Sequence, residues 1–538
     1  MTQKKSFIPY CLIFISSIFL SISYSIEQRA LDGGLIISNI IQYPENFNIM
    51  EIWANNSWTF LFQFSALLLK LDFSIINASR LILFFSTFFY SFGIYLTSRS
   101  ITLSSNLSLL ICFVIVFFQK NFGAIDYPTL MFSEHTNGMM SLAIVTLIFG
   151  LISNKNYFAA GFFSIFLISL HSVIGLWISL ILIFSLFIFK YFFKHKIDYK
   201  IFINGMVFGS IVVLFSFIFY FNNLIDFKDF FDQDIYLSYM ENWEAHRTNY
   251  GNLSKFNYLY CFLSFILFFF FFYSYLYFIK KNNLQNALMF LVLSLTIFLS
   301  AIIFFTYKLY PFLYPEIFVR AMPTRFFLLH SVIGFPIIIS SIFLIIKNFC
   351  EKRNLNNFYS IALIFLILFG LSINFHKFRF SHYKNIAYLF NNFYLNIFKN
   401  DQKNKNYEFW LNIKNENTNG FILTSNETCR KTLRKALKPV LLCVESIDNI
   451  AYLPNTAKKT KELIENVYDV SFKNPPIKNR GGIFGDIIKK NFEKKTFNQW
   501  DELKSPYMIV GLVVPANWEI DLKPKFIGKD YIYYSLVE

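Results

Sequence analysis

The chain has 538 residues, 55% of them hydrophobic and 21% aromatic, with 73 Phe and only 15% charged residues. That is more apolar surface than a globular core can hide, so lipid must solvate much of it and an ordinary soluble fold is excluded. The formal net charge of +16 does not imply a nucleic-acid partner. Much of the Lys and Arg lies in short loops between apolar runs, where positive charge holds a loop on the cytoplasmic side.

Lys4 and Lys5 precede an apolar run from Pro9 to Ile26, the layout of a signal peptide or of a first span. Many spans follow, so the run is read as an uncleaved anchor. Ten further runs match the length a helix needs to cross the hydrocarbon layer. They are residues 81–97, 103–118, 138–152, 157–170, 173–193, 201–221, 258–279, 288–307, 326–346 and 358–373. Threaded from a cytoplasmic N-terminus, these eleven spans place Arg99, Lys155, the Lys190 to Lys200 run, Lys280, Lys281, Lys347, Lys352 and Arg353 inside. The scheme holds only if the apolar segment Trp58 to Leu69 does not cross, and an interfacial or re-entrant helix is expected there.

Long loops then fall on the opposite side: 27–77, 119–137, 222–257 and 308–325. Six of the seven histidines (His135, His171, His246, His330, His376 and His382) lie on or near that face, and only His195 is cytoplasmic. Ionisable groups near membrane depth are costly and mark function, whereas loops are also simply where histidine is tolerated.

Beyond residue 375 the composition turns to Lys, Asn, Glu and mixed apolar residues. The expected organisation is therefore an all-α membrane domain over 1–375 and a small extracytoplasmic α/β domain over 376–538. Helices are expected at 408–413, 433–437, 459–467 and 487–492, and strands at 421–424, 440–444, 508–514 and 531–537. Cys429 and Cys443 would close a loop if bridged in an oxidising compartment, contributing about 3 kcal/mol; the alternative is two free thiols. No CxxC or Cys/His cluster is present, which argues against zinc or iron–sulfur chemistry.

The first long loop begins with Arg29 and Asp32, and Asp32 precedes two glycines. A carboxylate there can act as a general base on an acceptor hydroxyl or hold a divalent cation; Asp-Gly is equally a turn signal. Ser133, Glu134, His135, Thr136 and Asn137 form a polar run before the next span, suited to an anionic or hydroxylated ligand or to helix capping. His171 either lines a cavity or marks a tight external turn. Glu244, His246 and Arg247 combine a carboxylate, an imidazole and a guanidinium that together can handle a proton and a phosphate. Asp226, Asp229, Asp232 and Asp234 nearby lack the glycine and terminal glutamate of a calcium loop. Arg320 and Arg325 sit at a membrane edge, where they can clamp a lipid-linked phosphate or anchor by snorkelling. No GxGxxG, Walker loop, GxSxG or HExxH occurs.

With many spans, an acidic residue in a long first outer loop (Asp32), a polar outer face and a soluble tail after Phe375, the chain resembles the GT-C class of polyprenyl-phosphate-dependent membrane glycosyltransferases. The run from Trp410 through Cys429 to Pro439 is also similar to uncharacterised bacterial multi-pass proteins. The first loop has no paired acidic motif, and the tail has no WWD sequence. The resemblance implies an enzyme of a bacterial inner membrane that moves a sugar from a polyprenyl-phosphate donor to an extracytoplasmic acceptor. Asp32 would be the base, and Arg320 and Arg325 would hold the donor phosphate. The implied partners are that donor and membrane lipid, with a divalent cation as an optional cofactor. A transporter or flippase, or a non-catalytic scaffold, are the rival classes. A transporter would place ionisable groups at mid-membrane within repeats, and neither feature is evident.

Overall fold

Long apolar runs without charge leave backbone groups no partner in lipid except their own helix, so each run closes its hydrogen bonds internally. In the computed structural model, which describes residues 7–118, 122–124, 127–129, 132–134, 136–194, 198–227, 231–244, 255–315, 328–353, 386–398, 406–477 and 483–537, helices dominate. Among these residues seven helices are long and apolar enough to cross a membrane: Ile75–Thr102, Thr136–Ser153, Ser172–Tyr191, Tyr199–Asn222, Phe262–Lys280, Leu284–Leu309 and Val332–Glu351. Ile8–Tyr24, Ser105–Phe117 and Tyr157–Leu170 are shorter apolar helices at three more of the expected spans. The eleventh expected span, 358–373, lies outside the described residues. Helix Phe60–Lys70 has 11 residues, which at 1.5 Å each is about 16 Å and too short to cross.

The contacts divide the chain into two units. The first comprises Met1–Gln28, Ile76–Ile218 and Tyr250–Lys399. Here small residues let helices meet backbone to backbone, the packing that replaces a hydrophobic drive in lipid. A Cβ on Gly93 would lie 2.5 Å from the Thr146 carbonyl carbon, and one on Gly150 would lie 2.8 Å from the Gly93 carbonyl oxygen. Near the N-terminal ends of helices Ile75–Thr102 and Thr136–Ser153, the fully buried Gln28 ties the two together. Its backbone N–H donates to Ser79 Oγ at 3.1 Å, its Nε2 to the Ser133 carbonyl at 3.1 Å, and its Oε1 accepts from the Thr136 hydroxyl at 3.1 Å. At the other ends, the Asn154 amide donates to the Leu96 carbonyl at 2.9 Å and the Asn286 amide to that of Ser100 at 2.9 Å. A short antiparallel hairpin, β1 (Phe122–Ala124) and β2 (Tyr127–Thr129), also belongs to this unit.

The second unit comprises Arg29–Ile75, Phe219–Asn249 and Asn400–Glu538, so parts of two expected outer loops fold with the tail. Its centre is a four-stranded sheet of β3 (Phe421–Thr424), β4 (Ile509–Pro515), β5 (Pro524–Ile527) and β6 (Tyr531–Ser535) in the order β3-β4-β6-β5. β3 runs parallel to β4, and the other pairs are antiparallel. β4 is buried almost throughout because both faces are covered. One cluster gathers Leu423, Leu512, Phe492 and Trp500 with Ile49, Tyr239 and Trp243 from the two loops; a smaller one gathers Ile422, Val513 and Tyr533 with Phe409 and Trp410. The Trp243 indole donates to the Phe472 carbonyl at 2.8 Å and stacks on the Phe472 ring.

The tail departs from expectation in four places. The strand expected at 440–444 does not form: only Val440 bridges Ile422, and Val444–Ala451 is a 3-10 helix. The reason lies far off in the chain, because the Asn48 amide occupies the carbonyls of Val440 and Leu441 at 2.9 and 3.0 Å, where a strand would offer them to a ladder. Helix Phe497–Tyr507 and strand β5 were not anticipated. The helix expected at 433–437 is a π-helical turn, Thr432–Ala436, continuing the short helix Cys429–Lys431.

Candidate functional site: a carboxylate gripped by two arginines

Asp32 lies in the first turn of helix Ala30–Ile37, where the helix dipole favours a negative charge. The Asp-Gly-Gly sequence is therefore not the turn its composition suggests. The glycines instead allow close approach, since a Cβ on Gly33 would lie 2.6 Å from the Phe62 ring and one on Gly34 would lie 2.6 Å from Ser65 Cβ. Packing against helix Phe60–Lys70 thus fixes the turn that carries Asp32.

Arg434 meets this carboxylate as a fork: Nε donates to Oδ1 at 2.6 Å and Nη2 to Oδ2 at 2.9 Å. Arg430, about one turn earlier on the same helical segment, places Nε 3.7 Å from Asp32 Oδ2 and Nη2 3.3 Å from Glu445 Oε1. Residues four apart share a helix face, and the π turn between them is a backbone feature often found at functional sites. The Arg434 side chain is 4% exposed and that of Asp32 15%, so the pair is largely withdrawn from solvent screening. A disulfide joins Cys429 to Cys443 with the Cα atoms 5.8 Å apart. It fastens the segment bearing Arg430 to the one bearing Glu445.

Tyr43 completes the surroundings. Burial raises its hydroxyl above the ordinary tyrosine range, and the negative charges of Glu51 and Asp32 raise it further, so it stays a proton-bearing donor. Among the described residues this buried hydroxyl has no hydrogen-bond partner. Burial likewise pushes the Glu51 carboxyl above its usual value. The folded state thus holds that proton more tightly than the unfolded one, and the associated stability, present at low pH, fades as pH rises from the unfolded carboxylate range through the folded value. Glu51→Gln is accordingly expected to raise the melting temperature of this unit near pH 8 and to leave it unchanged near about pH 4. A higher melting temperature at both pH values would show that the gain does not come from ionisation.

The arrangement can do two things chemically. Each Asp32 oxygen has more than one acceptor position, and Arg434 takes one on each, so the carboxylate can still accept from a hydroxyl. A guanidinium fork fits phosphate as well as carboxylate, so an incoming phosphate can compete with Asp32 for Arg434. Among the described residues, no group of three or more His, Cys, Asp or Glu is placed to hold a metal ion.

The other candidates lie as follows. Arg29 immediately precedes the Asp32 helix; its carbonyl accepts from the Asp32 N–H at 3.1 Å. Glu244 belongs to the same unit, is fully buried, and its N–H closes helix Gln233–Asn242 on the Tyr239 carbonyl at 3.2 Å. Glu134 and His171 belong to the first unit. The Glu134 carbonyl accepts from the Thr136 N–H at 2.9 Å. His171 marks the tight turn between helices Tyr157–Leu170 and Ser172–Tyr191, with Nδ1 accepting from the Ile174 N–H at 3.5 Å. His135, His246, Arg247, Arg320 and Arg325 lie outside the described residues, as do His195, His376 and His382.

Sequence reasoning missed Tyr43, Glu51, Arg430, Arg434 and Glu445. One signal was available: arginine is scarce in this lysine-rich chain, yet two stand four apart in CysArgLysThrLeuArg, where lysine would have served for charge alone.

Long apolar helices in this number point to a multi-pass membrane protein. No known family model matches the chain, and no curated protein does either.

Proposed function

We propose that the protein is a GT-C-like integral membrane glycosyltransferase with about eleven spans, moving a sugar from a polyprenyl-phosphate donor to an extracytoplasmic acceptor. The observation that carries this reading is Asp32 beside Arg430 and Arg434, which joins a proton acceptor to a phosphate-binding pair. Asp32 takes the proton of the acceptor hydroxyl as its oxygen bonds to the anomeric carbon. The bond from that carbon to the lipid phosphate oxygen breaks, and the departing electron pair is met by the guanidiniums. The resemblance implies the phosphate role for Arg320 and Arg325; the Arg430/Arg434 pair offers the same chemistry next to the base. The Cys429–Cys443 bridge supports placing this unit in an oxidising, extracytoplasmic compartment of a bacterial inner membrane, and the lysine-rich loops support a cytoplasmic N-terminus.

The test uses membranes containing the full chain, incubated with labelled polyprenyl-phosphate sugars, with release of polyprenyl phosphate as the readout. Asp32→Asn is expected to lower turnover by about 10²–10⁴-fold. Undiminished release would remove Asp32 as the base.

A further inference from the structure

The first unit holds a cavity of about 700 Å³ at the helix ends remote from Gln28, formed where Ile75–Thr102 and Thr136–Ser153 finish and Tyr157–Leu170 and Leu284–Leu309 start. Its charged lining residues are Arg99 and Lys155, and no Asp or Glu lines it. Arg99 Nη1 donates to the Tyr10 hydroxyl at 3.1 Å. Among the described residues, no carboxylate pairs with either cation.

The neutral lining is also biased toward donors. Asn156 Oδ1 is occupied by the Ala159 N–H and Asn283 Oδ1 by the Asn286 N–H, both as helix caps. Their amide NH2 groups make no hydrogen bond among the described residues, and both residues, with Gln285, line the cavity. Lys155 occupies a left-handed helix-terminal position with φ 61, where glycine is the usual occupant. The remaining wall is apolar, made of Phe92, Leu96, Leu103 and Leu151. Two cations and several N–H donors at the rim of a hydrocarbon wall match a group that is anionic at one end and apolar at the other.

We propose that this cavity binds the phosphate headgroup of an anionic membrane lipid, with Arg99 and Lys155 as its cationic partners and the acyl chain on the Phe92/Leu96/Leu103/Leu151 wall. Basic pockets between membrane helices at headgroup depth recognise such lipids because each cation adds attraction that phosphatidylcholine, neutral overall, does not gain. The inference is independent of the glycosyltransferase reading, since the cavity and the Asp32 cluster share no residue.

The full-length protein, purified in a non-ionic detergent, is titrated with phosphatidylglycerol, phosphatidylcholine or inorganic phosphate, and bound ligand is counted by native mass spectrometry. Wild type is expected to retain phosphatidylglycerol in preference to phosphatidylcholine. Lys155→Gln is expected to weaken that binding by about fivefold and the Arg99→Gln/Lys155→Gln pair by about 25-fold. The exposed Lys155 side chain makes no hydrogen bond or ion pair among the described residues, so its replacement leaves the fold intact and the single variant reads binding alone. Equal retention of the two lipids, or undiminished binding in the double variant, overturns the proposal. Full displacement by inorganic phosphate overturns the lipid assignment in favour of a soluble anion.

Discussion

Arg434→Gln is expected to destabilise the second unit by about 3–5 kcal/mol, toward the lower end of that range, because it leaves a mostly buried carboxylate without its fork. The lower end applies because Arg430 remains 3.7 Å from Asp32 and retains part of the attraction. Arg434→Lys rescues little, since an ammonium is a point charge and cannot make both bonds in one plane. Asp32→Asn/Arg434→Gln, with both charges removed, should recover most of the loss, because the penalty comes from the unpaired charge rather than from absence of the pair. Unfolding followed by fluorescence of Trp243, Trp500 and Trp518, all buried in this unit, reports the four corners of the cycle. Effects that add to within about 0.5 kcal/mol would mean that the two residues are not coupled. Under the proposed glycosyltransferase function, the double variant also separates stability from chemistry, since it should fold and still fail to transfer sugar.

Cys443→Ser comes next in size. The bridge closes a loop of sequence separation 14, for which the chain-entropy account gives about 3 kcal/mol. In a unit of this size that corresponds to a melting temperature lower by roughly 6–12 °C. Wild type treated with a thiol reductant should fall to the same value, and the variant should not respond to the reductant. A second effect follows from position. Cys429 adjoins Arg430, and Cys443 lies two residues before Glu445, so opening the bridge frees the Arg430–Glu445 pair while the Arg434 fork keeps its own hydrogen bonds. Under the proposed function, sugar transfer should therefore decline less than in Asp32→Asn. A reductant-insensitive wild type would show that the bridge contributes nothing to stability.

The membrane helices were legible because lipid imposes one rule on every residue of a span. Leu284–Leu309 and Thr136–Ser153 fall within a few residues of the expected runs for that reason. Phe421–Thr424 was equally plain, as a short apolar run between polar segments. Strand β5 was not, because Pro524–Ile527 is a mostly exposed edge strand carrying Pro and Lys and has no apolar alternation to detect. The run Val440–Val444 misled in the opposite direction. It is apolar and buried like a strand, but the partner of its backbone is a side chain nearly four hundred residues earlier.

Sequence alone determined that this chain needs lipid, where its helices run, and that Asp32 stands out at the start of a long loop. Only the tertiary structure decided that the tail carrying Arg430 and Arg434 folds together with that loop, and that Arg434 reaches across 402 residues to grip the carboxylate. Hydrophobic periodicity records whether a residue is buried and on which face, a property of its own neighbourhood. The partner of a charge depends on how distant segments close on one another, and no local pattern carries that information.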